Sequence, residues 1–394
     1  MKGKLAFAAA LLAAALSAQA EVPPAPTAQA ALPFVPETSL SAPIAYMLDL
    51  GSGRVLFERD ANRRFMPASL TKIMTAYVAF ELLAAGKLQP NQRFVMSDAA
   101  FEQWHRVGST MFIGRGQAVT VDELLHGIMT VSANDACIVL AEGVSRSVPG
   151  FVALMNAEAR KLGMRDTHFG SPNGWPDEGA TYTTAHDLAV VTAAMIARHP
   201  AYYRRYVGKP EMTFNGIRQE NHVPTIGRVG GADGVKTGFT NEAGYGFVGS
   251  ASRHGRRLVM AVGGYDRAWQ RARESRAFLE WGFADWTTQP LFPPGGTVAE
   301  ARVQGGAERR VALTATTPLY LTLRPGESTA GTTMAIRYDG PIPAPVRKGA
   351  QVGSLRVIVP GLAPRNLPLV AASDVPVAGP LARLRNGLFG LVGL

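Results

Sequence analysis

The chain has one cysteine in 394 residues, so it lacks both a disulfide framework and a cysteine-based zinc knuckle. Its seven histidines include no H-E-x-x-H pair or similar spacing, which leaves a zinc hydrolase without ligands and predicts no metal and no cofactor. Beyond the N-terminus, no apolar run reaches the roughly 20 residues of a membrane-crossing helix. Charged residues are few at 18% and apolar ones many at 47%, which excludes a disordered chain. Lys and Arg outnumber Asp and Glu by 40 to 30, but no basic stripe with interleaved aromatics carries the excess. Nucleic acid is therefore not an expected partner. The length fits two domains, or one large and one small, at roughly 100–200 residues per domain.

What is present begins with export. Lys2 and Lys4, an apolar stretch from Leu5 to Leu16, and Ser17-Ala18-Gln19-Ala20 make a secretory signal peptide over residues 1–20. The proline- and alanine-rich residues 21–40 read as a flexible leader. Ala45 to Leu50 and Arg54 to Phe57 flank Gly51-Ser52-Gly53, a β-hairpin signal. Pro67 opens an apolar helix to about Ala85, because proline suits a first helical turn. Thr120-x-x-Glu123 is a capping box ahead of a helix from Leu124 to Thr130. Further helices are expected at Leu154 to Leu162 and Ala185 to Ile196. A strand begins at Val235, a hairpin joins Gly244–Ala251 to Arg257–Gly264, and a helix closes from Arg267 to Trp286. This order predicts an α+β domain, residues 41–288, whose first and last strands share one sheet. Short β-like runs at Val311, Leu319, Met334 and Leu355, separated by Gly and Pro, predict a small all-β sandwich at 289–376.

Three short motifs carry possible chemistry. In Ser69-Leu70-Thr71-Lys72, a spacing of three on a helix puts hydroxyl and amine on one face. A lysine can activate a serine only if it is desolvated or held by other charges. Ser132-Ala133-Asn134 could relay a proton and hold a substrate amide. Lys236-Thr237-Gly238 lies on a strand whose pleat cannot aim Lys236 and Thr237 the same way, so the strand edge must contribute. Gly238 would permit close approach of a substrate backbone. Each motif alone also fits ordinary chemistry: a helix start with a surface lysine, a polar loop, a turn after a strand. Their joint chance frequency is on the order of one in a hundred.

The order of the three, and their surroundings, closely resemble the D-alanyl-D-alanine carboxypeptidases, the low-molecular-mass penicillin-binding proteins of peptidase family S11. The resemblance rests on Pro67 to Thr75, Ser132 to Ala136 and Asp233 to Tyr245, and extends to Phe214–Gln219 and to Gly263-Gly264 through Arg271. It implies a penicillin-binding, β-lactamase-like transpeptidase domain and an enzyme that removes the terminal D-alanine of peptidoglycan pentapeptide stems. Ser69 would be the nucleophile and Lys72 its base. Ser132 and Lys236 would pass the proton to the departing D-alanine. Asn134 would orient Lys72 and the peptide amide, and Thr237 and Arg271 would hold the terminal carboxylate. The backbone N–H groups of Ser69 and Phe239 would form the oxyanion hole. β-Lactams would acylate Ser69 and inhibit. Phe239 stands where close relatives often carry His, and His222 where some carry Arg, so the mouth of the cleft differs from the family pattern.

Three rival readings remain. A class A β-lactamase shares two of the motifs but needs a loop glutamate that is not evident here. A D,D-endopeptidase would keep the fold, and a penicillin-binding scaffold would keep the site with little turnover. Cys137 either borders the cleft or is a small buried hydrophobe, and the loop from Gly170 to Tyr182 could shape the cleft, with Asp177 and Glu178 solvated. At the C-terminus, Leu381, Leu384, Leu388, Leu391 and Val392 share one helical arc, with Arg383 and Arg385 among them. The segment 377–394 is expected to be an amphipathic helix lying on an anionic membrane surface. The expected location is periplasmic, on the outer face of the inner membrane; the sequence leaves the oligomeric state open.

Overall fold

A computed structural model describes residues 34–292, 296–315, 320–360 and 364–380. The signal peptide and the C-terminal leucine arc lie outside the described residues, as does most of the leader. The expected hairpin is present: β1 (Ile44–Asp49) pairs antiparallel with β2 (Val55–Arg59). Three later strands complete the sheet: β3 (Ala232–Thr240), β4 (Gly244–Arg253) and β5 (Arg256–Tyr265). The order is β2-β1-β5-β4-β3, so the first strand lies beside the last.

Both faces of this sheet are covered, which explains strands that are apolar nearly throughout. Ile44, Tyr46, Val259 and Ala261 face the helical side. Ala45, Met47, Leu258, Met260 and Val262 face the opposite core, where Phe278 and Leu279 pack. The helical side contains α1 (Lys72–Ala84), α2 (Val121–His126), α3 (Asn134–Ser145), α4 (Val148–Leu162) and α5 (Ala185–Arg198). The opposite face is covered by α6 (Ala268–Ala284). Every residue of α1 from Lys72 to Phe80 is buried, as befits a helix that is apolar nearly all round. The capping box at Thr120 is formed, with Thr120 Oγ1 accepting from Glu123 N and Glu123 returning to Thr120 N.

The C-terminal module has its own core. A six-stranded sheet runs in the order Thr333–Arg337, Gln351–Ile358, Arg365–Ala371, Arg310–Ala315, Thr297–Gln304, Ile342–Pro343. A two-stranded ribbon, Thr287–Pro290 with Tyr320–Leu323, lies beside it. Val303, Val311, Leu313, Leu355, Leu367 and Leu369 make the interior.

Three expectations change in detail. The first helix does not start regularly at Pro67: residues Ala68–Thr71 form a 3₁₀ turn, with Ala68 at φ +49°. The described end of the leader is tied down rather than flexible. Leu40 is buried, and Arg59 donates to the carbonyls of Pro36, Glu37, Leu40 and Ala42. The expected anchor segment begins as extended edge backbone, because Val377 bridges to Gly306 and Ala378 N donates to Gly305 O. Leu369→Ala should destabilise the C-terminal module by about 2–5 kcal/mol, the usual cost of such a cavity. Hydrogen exchange should quicken in that module while Val259 to Val262 keep their protection. Equal loss in both would mean that the two cores unfold as one.

Candidate active site

The 3₁₀ turn places Ser69 one turn ahead of α1, with its side chain half-buried at the cleft. A non-glycine residue in the left-handed region is strained, and Ala68 adopts it immediately before the serine. Gly174 is what permits this packing: a β-carbon there would lie 1.8 Å from Ala68 O. Lys72 Nζ is fully buried and donates to Ser69 Oγ at 2.8 Å, Asn134 Oδ1 at 2.9 Å and the Asn173 carbonyl at 2.7 Å. Burial pulls the Lys72 ammonium down to about 8, and the nearby Cys137 and Asp135 oppose that shift. The partner set is directional. Asn134 Oδ1 and Asn173 O can only accept, whereas the serine hydroxyl can also donate. A neutral Lys72 that keeps its two carbonyl partners therefore turns its lone pair to Ser69.

Ser132 ends a π-helical turn, Gly127–Val131, in the left-handed conformation at φ +64°. It lines the cleft, and no described hydrogen bond engages its hydroxyl. Asn134 begins α3 and is oriented at both ends of its amide: Oδ1 meets Lys72 and Nδ2 donates to Val107 O at 3.1 Å. The buried Asp135 carboxylate accepts from Met111 N, Ile113 N and Ala136 N, so this motif also holds the 107–113 loop against the site. Burial pushes Asp135 up, and those N–H groups pull it back. Cys137 is fully buried and pushed up to about 12 by that burial, a thiol that stays protonated in the core.

Lys236 and Thr237 divide the roles of their strand. Lys236 points inward, is 2% exposed, and donates to Thr237 O at 3.0 Å. Burial, then repulsion from Lys72, holds its ammonium well below the usual lysine range. Thr237 faces the cleft from β3, the edge strand of the sheet. Gly238 meets the Ser69 turn itself: a β-carbon would lie 2.6 Å from Pro67 O and 2.9 Å from Leu70. Its smallness thus serves strand-to-turn packing as well as any substrate.

The cleft encloses about 340 Å³ and brings Ser69, Ser132, Asn134, Thr237, Gly238, Phe239 and Arg271 together. Lys72 and Lys236 lie beneath its surface and do not line it. Phe239 is 45% exposed and stacks on Tyr245 at 4.1 Å, and Arg271 sits over the same tyrosine ring at 5.6 Å. Arg271 has no carboxylate partner among the described residues, its Nε is buried without an acceptor, and burial lowers its pKa. His222 also lines the cleft and is shifted down by burial, then by Lys236 and Arg271. The 170–182 loop does shape the cleft, through Asn173, Gly174 and Trp175, which packs edge-on against Trp104; sequence reasoning missed the Asn173 carbonyl and the Gly108-Ser109 wall. Asp177, expected to be solvated, accepts from Thr181 N at 2.9 Å and braces its own loop.

Comparison with known proteins agrees with this geometry. The family model described as D-alanyl-D-alanine carboxypeptidase matches residues 29–266, and that of the penicillin-binding protein 5 C-terminal domain matches 286–377. D-alanyl-D-alanine carboxypeptidase DacA of Escherichia coli strain K12 is 34% identical over 349 residues, 88% of this chain and 86% of its own. DacF of Bacillus subtilis strain 168 is 31% identical over 359 residues, 89% and 90% of the two chains. The crystal structure of penicillin binding protein 5 from Haemophilus influenzae aligns with a TM-score of 0.69 at 32% identity, over 86% of this chain and 98% of that one. With the family model spanning all three motifs and the cleft uniting them, the chain belongs to the D-alanyl-D-alanine carboxypeptidase family, peptidase S11.

Proposed function

We infer that this chain is a serine D-alanyl-D-alanine carboxypeptidase, and that Ser69 carries the acyl group. The observation behind this reading is the 2.8 Å contact from a buried, pKa-lowered Lys72 to Ser69 Oγ. Ser69 Oγ attacks the carbonyl of the penultimate D-alanine while Lys72 takes the hydroxyl proton. The backbone N–H groups of Ser69 and Phe239 receive the developing oxyanion. Ser132, which lines the cleft, returns with Lys236 a proton to the departing D-alanine amine, and water then hydrolyses the ester. Thr237 and Arg271 bind the substrate's terminal carboxylate, with Asn134 holding Lys72 and the peptide amide.

The cleft's charge supports this assignment. None of its lining residues is Asp or Glu, while Arg271 lies in it without an acidic partner among the described residues. A carboxylate-terminated peptide supplies the missing anion. β-Lactams, which also join a carboxylate to a reactive amide, acylate the same serine. The absence of a lining carboxylate also disfavours the β-lactamase reading, which needs one for deacylation. Export by residues 1–20 and peripheral attachment through 381–394 would put the enzyme beside peptidoglycan, on the outer face of the cytoplasmic membrane.

Three outcomes test these statements. Ser69→Ala should abolish both D-alanine release from a pentapeptide and stable labelling by a fluorescent penicillin; wild-type labelling of that variant would exclude Ser69. The acylation rate should climb as pH rises through about 8, because only the neutral amine of Lys72 accepts the proton. A flat profile between about pH 6 and pH 9 would remove Lys72 as base. Deleting residues 379–394 should release the enzyme from anionic vesicles and leave D-alanine release from soluble peptide within about twofold. Undiminished co-sedimentation of the truncated chain would refute the anchor.

A further inference from the structure

The 170–182 loop has two sides. One walls the catalytic cleft; the other walls a cavity of about 310 Å³, closed by the helix Asp98–Trp104 and by Ile138 and Glu142 of α3. Asn173 and Trp175 line both spaces, so the two are neighbours across one layer of side chains. Trp175 is the divider. It is 42% exposed, and its ring packs edge-on against Trp104 at 5.5 Å. Gly108 brings it close to the site: a β-carbon there would lie 2.9 Å from the indole and 2.8 Å from Asn134 Nδ2. A peptide that meets the Asn134 amide therefore has this indole as its neighbour, with the side cavity behind it.

The two spaces carry opposite charge. The cleft is lined by Arg271 and His222 and by no acid, whereas the side cavity is lined by Glu142 and Asp177 and by no Lys, Arg or His. Asp177 is committed to its own loop, its two oxygens accepting from Thr181 N and Thr181 Oγ1. Glu142 is not committed. It is half-buried, and its carboxylate has no hydrogen bond or ion pair among the described residues. One available carboxylate is too few for a metal ion, which asks for several oxygen ligands. Beside the indoles of Trp104 and Trp175 it suits an organic cation, since aromatic faces attract ammonium groups. Ile138, Val148 and Pro172 add an apolar wall along which the methylenes of an alkylammonium can lie.

We propose that this cavity is a specificity subsite that takes the side-chain ammonium of the substrate residue preceding D-alanyl-D-alanine, with Glu142 as its countercharge and Trp175 as the ring it crosses. The proposal rests on the carboxypeptidase reading and adds to it a preference among peptides. The substrate then spans two fields of opposite sign, its carboxylate towards Arg271 and its ammonium towards Glu142. Charge alone thus fixes its direction in the cleft.

The test compares D-alanine release from Nα-acetyl-L-lysyl-D-alanyl-D-alanine, which keeps its ε-ammonium, and from the Nα,Nε-diacetyl peptide, which lacks that charge. The enzyme is the chain without residues 1–20. It should favour the charged peptide about fivefold in kcat/KM, the upper range for one ion pair open to solvent. The preference should shrink as salt rises from about 20 mM to about 500 mM. Glu142→Gln should make the two peptides equal, and Glu142→Lys should favour the diacetyl one. Both variants should keep full penicillin labelling and release D-alanine from the diacetyl peptide within about twofold of wild type. Glu178→Gln, on the same loop but outside the cavity, should keep the preference. Equal rates on the two peptides in the unsubstituted chain, a preference that survives Glu142→Gln, or one lost equally in Glu178→Gln would each overturn the subsite and leave the carboxypeptidase reading standing. Release from neither peptide would overturn both.

Discussion

The site depends on keeping an ammonium out of water. Lys72 sits on a helix that runs through the interior, and desolvation of a lone cation there would be prohibitive. Three oxygens make it tolerable: the Ser69 hydroxyl, the Asn134 side chain and the Asn173 carbonyl. They come from three separate segments, so burying one lysine ties the nucleophile turn, the start of α3 and the 170–182 loop to a common point. The same burial lowers the pKa towards neutrality, as the proposed role of the amine as a base requires. Structural and chemical demands on Lys72 are therefore one demand.

A second consequence is electrostatic. Of the two buried lysines, Lys72 lies close enough to Lys236 to disfavour its charged form, and Arg271 adds to that field. Asp135 offers Lys72 some compensation, yet its own oxygens are committed to backbone N–H groups. The cleft thus carries positive potential that its own residues do not neutralise. An incoming carboxylate is attracted by this field and, once bound, reduces repulsion among the cations. In the proposed function, a substrate carboxylate would supply the countercharge that Arg271 lacks among the described residues. Phe239 refines the mouth: its stack on Tyr245 fixes the ring that Arg271 lies over, so aromatic packing helps locate the cation.

How much of this could be read from the sequence depended on range. The Ser69–Lys72 relation was legible because a spacing of three means one helical face whatever the fold. The capping box at Thr120 and the hairpins at Gly51 and Gly255 were legible for the same local reason. Asn173 was not, because it acts through a carbonyl that every residue possesses. The packing roles of Gly238 and Gly174 were not legible, because what they accommodate, the Pro67 and Ala68 carbonyls, is distant in sequence. The leader's end looked flexible by composition, yet Leu40 has a place in the core and Arg59 collects its carbonyls. Strands such as Arg365–Ala371 escaped notice because polar residues and Pro368 interrupt an apolar face that only pairing makes continuous.

The two modules are joined by the same device that builds the active site, a buried charge shared among segments. Asp49, at the end of β1, is fully buried and accepts from Ser52 N, Arg256 Nε and Thr322 Oγ1. Those donors belong to the first hairpin, the β4–β5 turn and the C-terminal ribbon. Arg54 repeats the pattern in reverse charge, reaching Thr322 O and Glu327 from the hairpin. Because buried ionic contacts are directional and costly to break singly, they define one orientation between the modules where an apolar interface would tolerate sliding. Removing Arg256 would strand the Asp49 charge without water, whereas Glu327, 38% exposed, would be solvated without Arg54. β5 runs from this junction and pairs with β4, which in turn pairs with the cleft-lining strand β3, so the module's attachment and the position of Thr237 are features of one continuous hydrogen-bonded sheet.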